Sequence, residues 1–146
     1  MRVGASDVAT IETKAGVVDA GWDNVPRRLG AASVCMIDAK GVVSTPRSTA
    51  APDALAESLR AFDAVRSVAM KDETPRMDAL NAILRNAGPG DGVMLWNLAV
   101  TLPMRDRPLV WERVQQIFPD VPRMLLSGKV DPESETFRAE LWKSIV

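Results

Sequence analysis

The spacing of apolar residues changes near residue 53, and this change limits the possible folds more than any other feature. Before it, short runs rich in Val, Ile and Thr are separated by glycine-containing turns, a pattern typical of β-strands. After it, Leu55, Leu59 and Phe62 start a spacing of about 3.6 residues, which is typical of helices. The sequence therefore predicts an α+β chain of three segments: a small antiparallel β portion at 1–45, a proline-rich linker at 46–52 and a helical domain at 53–146.

The β portion is expected to contain three to five short strands in antiparallel hairpins. The run at residues 8–18 is interrupted at Gly16, and the run "SVCMI" leads into a turn at 38–41. The last residue of that turn, Gly41, suits a position with a positive φ angle. Strands this short cannot enclose a large core, and their edges expose unpaired backbone groups. Self-association or a permanent complex with another protein is therefore expected.

Five helices are predicted after residue 52, each from a capping residue followed by an apolar stripe. The second is expected to end at Gly88 in the left-handed conformation, before Pro89. The third, over residues 91–102, is apolar nearly all round, which is typical of a central helix that its neighbours cover. These features predict a four- to five-helix bundle. The expected caps or first residues are Asp53, Thr74, Asp91, Asp106 and Asp131.

Trp96 and Trp111 fall in two consecutive apolar segments, and two interpretations are open. A binding site would expose the indole rings, whereas core packing or a subunit interface would bury them. Packing is favoured, because Trp96 lies in the most apolar helix and Trp111 in the apolar stripe of the next one. Both stay candidate partner-binding residues together with Trp142. These rings and Met94 are expected to add more apolar surface than five short helices readily cover.

Arg105, Arg107 and Arg113 cluster near the start of the fourth helix, beside Glu112. Arginine pairs well with carboxylates, so one interpretation is a patch that binds an anion or a partner protein. A solvated helix start is the favoured interpretation, because exposed charge pairs contribute little to stability. The three arginines remain candidate partner-binding residues.

The residues of common catalytic sites are missing. The chain has no histidine, which removes the usual general base and the commonest ligand of transition metals. The single Cys35 lies in an apolar run without a neighbouring cation, so it is interpreted as a small, unreactive hydrophobe. The glycine-rich turn at 88–92 lacks the lysine of a P-loop, and the acidic run at 131–140 lacks the spacing of an EF-hand. No enzyme activity, cofactor or metal is expected.

The charge distribution argues against further classes of partner. The net charge is −1 and both signs are evenly spread, so there is no basic stripe for nucleic acid and no polybasic run for an anionic membrane. No apolar run approaches the roughly 20 residues of a membrane span. Neither nucleic-acid binding nor membrane insertion of this chain is expected.

The order of these features resembles two parts of FecR-domain proteins. The segment "AGVVDAGWDNVPRRLGAASVCMIDAKGVV" resembles the closing hairpins of FecR-type domains, with Leu29, Gly30-Ala31 and Gly41 in corresponding places. The segment "DALNAILRNAGPGDGVMLWNLAVTLPMRDRPLVWERVQQIFP" is similar to the helical tail of some long FecR-domain proteins. The matching residues there are Leu95-Trp96, Arg105 to Arg107, Trp111-Glu112-Arg113 and Phe118-Pro119.

This resemblance implies a non-enzymatic module that binds protein in a signalling or scaffold assembly of the bacterial envelope. It implies a location on the periplasmic side, with a cytoplasmic location as the alternative. Partners in such systems are typically an outer-membrane receptor domain or an alternative sigma-factor pathway, and no catalytic residue is carried over. The alternative function is a small-ligand or anion-binding domain that uses the start of the third helix and the nearby arginines.

Overall fold

The computed structural model of the chain describes residues 2–3, 8–20, 27–66 and 71–146. Within these residues six strands and five helices form, so the chain is of the α+β class, as predicted. The strands are β1 (Arg2–Val3), β2 (Ala9–Thr13), β3 (Val18–Ala20), β4 (Arg27–Leu29), β5 (Ser33–Ile37) and β6 (Arg47–Ser48). The helices are α1 (Asp53–Val65), α2 (Thr74–Asn86), α3 (Gly92–Thr101), α4 (Arg107–Ile117) and α5 (Glu135–Ile145). None of these described helices combines the length and the apolar content that crossing a membrane requires.

Two antiparallel sheets form the β portion. The larger has the strand order β1-β2-β5-β6, and β3 pairs with β4 in a separate two-stranded ribbon. The described strands exceed the three to five predicted, because β1 and β6 have only two residues each, too few for a sequence pattern to show. β6 lies inside the predicted linker at 46–52, where Ser48 pairs with Ser33 of β5. A two-residue edge strand tolerates a neighbouring proline, so the prolines there do not mark a segment outside the sheet.

A small apolar cluster holds the β portion together, with one buried residue from each of β3, β4 and β5. The turn at 38–41 forms as predicted, since Gly41 has a φ angle of 80° and its backbone N–H donates to the carbonyl oxygen of Asp38. Residues 21–26, within the segment that resembles FecR-type hairpins, lie outside the described residues. The cluster consists of Ala20, Leu29 and Cys35, with Ile11 and Val43 packed against it.

α3 lies at the centre of the helical domain. Eight of its ten residues are buried, and Met94, Leu95 and Leu98 are completely buried. Each neighbouring helix buries one stripe, because residues three or four positions apart lie on the same helical face. The prediction of a central third helix is confirmed. The stripes are Leu55, Leu59 and Phe62 in α1, Leu80, Ile83 and Leu84 in α2, Val110, Trp111 and Val114 in α4, and Phe137, Leu141 and Ile145 in α5.

The predicted start of α5, with Asp131 as its cap, is wrong by three residues. The helix begins at Glu135, and the side chain of Ser134 accepts a hydrogen bond from the backbone N–H of Phe137 as its cap. Asp131 instead accepts from the backbone N–H of Glu133 at 3.0 Å, which closes a local turn before the helix. Both arrangements suit a short polar side chain, and the sequence pattern does not distinguish them.

Three other predicted caps act differently. Asp53 and Thr74 are the first residues of α1 and α2 rather than their caps. The carboxylate of Asp72 accepts from the backbone N–H of Thr74 at 2.9 Å. Asp106 precedes α4 but makes no capping hydrogen bond, because its carboxylate accepts instead from the guanidinium group of Arg76.

The predicted left-handed end of α2 is also wrong. Gly88 has a φ angle of −133°, which is extended backbone. Its N–H donates to the carboxylate of Asp91 at 2.8 Å, and a 3-10 turn, Pro89–Asp91, leads into α3. A side chain, rather than a glycine conformation, therefore satisfies the backbone at this connection.

The β portion and the helical domain meet where β4 lies against α3. The side chain of Asn97 accepts from the backbone N–H of Arg28 at 2.9 Å and donates to the carbonyl oxygen of Arg28 at 2.7 Å. Asn97 thus pairs with β4 much as a neighbouring strand would. The approach is equally close at Gly30, where a Cβ atom would lie 3.0 Å from Cγ2 of Val93 and 3.4 Å from the ring of Trp142.

Candidate functional site

A cavity of about 280 Å³ opens between the β3–β4 ribbon, α3 and α5. Its apolar wall comes from Trp96, Val100 and Ala139. Its charged lining consists of Asp19, Arg28, Glu133, Glu135 and Arg138. We call it the junction cavity, because it lies where the two parts of the chain meet.

Arg28 lies between a carboxylate and two indole rings. Its Nε and Nη2 donate to the two carboxylate oxygens of Asp19 at 2.8 and 2.9 Å, a bidentate geometry. Its guanidinium carbon is 5.2 Å from the ring centroid of Trp96 and 5.6 Å from that of Trp142, within the range of cation–π attraction. The hydrogen bond that Arg28 donates to Asp19 raises the pKa of Arg28. The guanidinium group is therefore a fixed positive charge at one side of the cavity.

Glu133 is held by two arginines. Nη1 of Arg107 lies 2.6 Å from Oε1 of Glu133, and Nη2 of Arg138 lies 3.4 Å from Oε2. Arg107 is buried and also donates to the carbonyl oxygens of Leu102 and Val100 at 2.6 and 3.1 Å. These bonds satisfy carbonyl groups at the end of α3 that have no partner within the helix. The interpretation of a solvated helix start is therefore wrong for Arg107.

Glu135 is the carboxylate of the junction cavity without a fixed partner. It is exposed in the first turn of α5, where the helix dipole favours a negative charge. Within the described residues its side chain makes no hydrogen bond or ion pair, although its charge contributes to the raised pKa of Arg28. Asp19 and Glu133 are both bound to arginine, so Glu135 is the carboxylate most available to a ligand.

The candidate tryptophans pack in the molecule. Trp96 and Trp111 are 3% and 8% exposed, as the packing interpretation predicts. Trp96 Nε1 donates to a backbone carbonyl of α5 at 2.8 Å, and Trp111 packs against Phe137 with ring centroids 5.9 Å apart. Trp142 is half-buried and Met94 is completely buried. The expectation that these residues leave much apolar surface uncovered is wrong, because the neighbouring helices and β4 enclose α3.

The structure does not bring the three candidate arginines together. Arg105 is exposed and pairs with Glu73 at 3.3 Å. Arg113, in the middle of α4, donates from Nη2 to the carbonyl oxygen of Ala87 at the end of α2, at 2.9 Å. Arg107 closes the end of α3. Because these groups have three different surroundings, they do not form a common anion-binding patch.

The start of α3 is already occupied by protein atoms. The carboxylate of Asp91 accepts from the N–H of Gly88. The carbonyl oxygen of Ile145 lies directly against Gly92, in the space that a Cβ atom would need. A carboxylate and a carbonyl oxygen both disfavour an anion at this helix start.

Cys35 and possible metal ligands are the remaining candidates for a reactive site. Burial raises the pKa of the Cys35 thiol to about 11, so this thiol is protonated at neutral pH and suits the role of a small buried hydrophobe. Within residues 2–3, 8–20, 27–66 and 71–146, no group of three His, Cys, Asp or Glu side chains is placed to hold a metal ion.

Sequence reasoning found Trp96 and Trp142 but missed the charged residues around them. Asp19 and Arg28 are cross-strand partners in the β3–β4 ribbon, and opposite charges at such positions stabilise a sheet. If the register of β3 and β4 had been predicted from the sequence, Asp19 and Arg28 would have been identified as a pair. Nothing local connects it to α3, because Arg28 and Asn97 are 69 residues apart in the chain.

A comparison with protein-family models gives no match for this chain, and comparisons with curated proteins and with solved structures give none either. The function of the junction cavity is therefore inferred from its own geometry.

Proposed function

We propose that the chain is a non-enzymatic protein-binding module whose junction cavity accepts a lysine or arginine side chain of a partner protein. The observation that carries this proposal is the lining of three carboxylates and two guanidinium groups, in which Glu135 has no ion-pair partner among the described residues. A basic side chain would supply the opposite charge, in a charge-assisted hydrogen bond.

The apolar wall of the cavity suits the same ligand. Long basic side chains pack their methylene groups on apolar surface while the charged end stays with polar groups. Among the apolar residues that line the cavity, Ala139 is exposed and offers such a surface, whereas Trp96 and Val100 line it with little exposed area. The cavity volume of about 280 Å³ lies just below the range of about 300–1,000 Å³ for small-molecule pockets. It therefore suits one side chain rather than a folded element.

The available side chains support binding rather than catalysis. The chain has no histidine, and Cys35 is buried with a pKa raised to about 11. Asp19 and Glu133 are ion-paired with arginines. Both carboxylates are therefore engaged by arginines of the same chain rather than free to act on a substrate.

We also propose a setting for this binding. The resemblance to FecR-domain proteins supports a signalling or scaffold assembly of the bacterial envelope, on the periplasmic side. The partner would then be an outer-membrane receptor domain or a component of an alternative sigma-factor pathway. A gene for either partner beside the gene of this chain would support the setting. Recovery of the native full-length protein only from the cytoplasm would contradict the periplasmic location and leave the cytoplasmic alternative.

Peptide titrations followed by NMR test the binding proposal. Peptides of equal length carry Lys, Arg, Glu or Ala at one central position, and the indole N–H signals of Trp96 and Trp142 report on the cavity. We expect the Lys and Arg peptides alone to shift the Trp96 signal. The variant Glu135→Lys should lose this response, because it places a positive charge beside Arg28.

Glu140→Lys is the matched control, because Glu140 is an exposed residue of the same helix that does not line the cavity. It should keep the response of the native chain. Equal shifts with Glu and Lys peptides, or an unchanged response in Glu135→Lys, would refute the proposed specificity.

A further inference from the structure

α2 carries a polar face that has no partner in the molecule. Asp78, Asn81 and Arg85 are exposed, and at positions i, i+3 and i+7 they share one side of the helix. Within the part of the chain that the structure describes, the side chains of these three residues make no hydrogen bond or ion pair. The opposite side of α2 is buried through Leu80 and Ile83, so the polar face points away from the core.

This face borders an open groove between α2 and α4. The groove has a volume of about 780 Å³. Leu84 and Leu109 provide its apolar surface, and Glu112, Arg113 and Gln116 line it from α4. Arg113 is held in place, because it donates to the carbonyl oxygen of Ala87 at 2.9 Å and to Gln116 at 3.1 Å. The side that α4 contributes is thus ordered before anything binds.

The charges of the α2 face are complementary to those of a second, antiparallel copy of the same face. Asp78 and Arg85 have opposite charges and lie two turns apart, about 10 Å along the helix axis. Asn81 lies near the midpoint between them. A twofold axis through this midpoint would place Asp78 of each copy opposite Arg85 of the other, which is the reciprocal pattern of an isologous interface. A parallel copy would instead place like charges together.

We propose that a second copy of this chain occupies the groove, with the two α2 helices antiparallel and Asp78 paired with Arg85 at both ends. The two asparagine amides at position 81 would meet at the axis, where each can donate and accept. The net charge of −1 per chain adds little repulsion between two copies.

The polar lining of the groove indicates how stable this dimer is. Most of the lining is polar, and interfaces of this kind are small and reversible. Surface charge pairs are screened by salt. We therefore expect a dimer that dissociates on dilution and on addition of salt, and that uses none of the residues lining the junction cavity. Failure of this dimer would leave the binding of basic side chains untouched.

Variants that reverse the charges of Asp78 and Arg85 test the proposed pairing of these residues between two copies. Sedimentation velocity of the full-length chain, from low micromolar to millimolar concentration at low salt, should show a monomer–dimer equilibrium. Arg85→Glu and Asp78→Arg should each weaken the dimer at least about tenfold, because like charges then meet at two symmetry-related points. The double variant Asp78→Arg/Arg85→Glu restores both pairs, so it should dimerise as the native chain does.

Lys143→Glu and Glu140→Arg are the matched controls, because both residues are exposed on α5 outside the groove. They change the net charge by the same amounts and should leave the dimer unchanged. A native chain that stays monomeric throughout, or a double variant as weak as the single ones, would overturn the proposal. Circular dichroism confirms that each variant is folded.

Cross-linking gives an independent measurement. Asn81→Cys should form a disulfide-linked dimer under mild oxidation, since the two residues meet at the twofold axis. Glu140→Cys should stay monomeric, and Cys35 is too buried to contribute. Equal cross-linking of both variants would show random collision and would also overturn the proposal.

Discussion

Asn97 joins the two parts of the molecule through one buried amide. It is completely buried, and its two hydrogen bonds to Arg28 replace those of a strand on the free side of β4. Its Nδ2 also donates to the carbonyl oxygen of Val93 at 2.8 Å within α3. A polar residue at the centre of the most apolar helix is thus explained by the backbone groups of Arg28 that it satisfies.

We expect Asn97→Ala to lower the free energy of unfolding by about 2 kcal/mol, because it removes the hydrogen bonds of Asn97 to the part-buried N–H and carbonyl group of Arg28. Urea denaturation followed by circular dichroism measures the change. Asn86→Ala is the control, since Asn86 is exposed and bonds only within its own helix. Equal losses in the two variants would contradict the assigned role.

The close approach of the chain to Gly92 leads to a second prediction about a single residue. A Cβ atom there would overlap the backbone carbonyl of Ile145, and backbone of this kind cannot move as a flexible side chain can. We expect Gly92→Ala to cost about 1–3 kcal/mol, the usual range for overpacking. Gly90→Ala is the control, because nothing lies within 4 Å of a Cβ atom at Gly90. Thermal melts of both variants measure the difference, and equal melting temperatures would contradict the close approach.

Among the helices and strands, we expect α3 to contribute most to stability, because its neighbours cover it on all sides. Trp96 is its largest side chain, is 3% exposed and meets Trp142 edge to face at 5.1 Å. We expect Trp96→Ala to cost about 3–5 kcal/mol, since the cavity cannot be filled from any side. Trp142→Ala should cost less, because Trp142 is only half-buried. An unchanged melting temperature in Trp96→Ala would instead make Trp96 a surface residue and a binding residue.

An ion-pair network joins the start of α2 to the start of α4. Arg76 is buried and binds Asp106 through Nη1 at 2.5 Å and Glu73 through Nε at 2.6 Å. The hydrogen bond from Arg76 lowers the pKa of Glu73 below its ordinary value of 4.5. A carboxylate whose pKa is lower in the folded state stabilises the fold above its unfolded pKa and loses this contribution as the pH falls through the folded pKa.

The melting temperature is therefore expected to fall when the pH is lowered from neutral to about 3. Glu73→Gln should show a smaller fall, because it removes one of the groups that must take up a proton. Glu57→Gln is the control, since Glu57 is exposed on α1 and has no ion-pair partner among the described residues. Melts across this pH range measure the effect, and an identical fall in native chain and Glu73→Gln would contradict it.

At the scale of the whole molecule, the residues that the structure describes form two apolar cores. The larger cluster draws its buried residues from Leu55 onward, whereas the smaller one lies within the sheets. The contacts between the two parts include those of Asn97, Gly30 and the rings around Arg28. They also include hydrogen bonds from the backbone N–H and the hydroxyl of Thr45 to the carboxylate of Asp63 in α1, at 2.9 and 2.7 Å. The buried residues of the larger core all come from the helical part of the chain. The strands contribute by covering one side of α3, where β4 lies.

We therefore expect residues 50–146 to fold without the β portion, with a stability below that of the full chain. The loss has a physical source, because removal of β4 leaves the buried amide of Asn97 without its partners and exposes the Trp96 ring. Circular dichroism should show a cooperative loss of helix on heating. A broad, non-cooperative melt would mean that the strands and helices form one folding unit.

The sequence by itself determined the features that repeat within one element. The α+β class, the central position of α3 and the apolar stripes follow from spacings of two or about 3.6 residues, because spacing decides which side chains share a face. The burial of Trp96 and Trp111 follows for the same reason. The turn at Gly41 was equally predictable, since it depends on the conformational freedom of one residue.

Only the tertiary structure decided where polar side chains find their partners. Asp106 binds Arg76 instead of capping α4, Arg107 closes the end of α3, and Arg28 meets Asn97 across 69 positions. Spacing along the chain tells whether a side chain is buried but not which group lies opposite it. Each buried polar group needs a partner, and that partner is set by the packing of whole elements. The junction cavity consists of such pairings, so no local pattern in the sequence could reveal it.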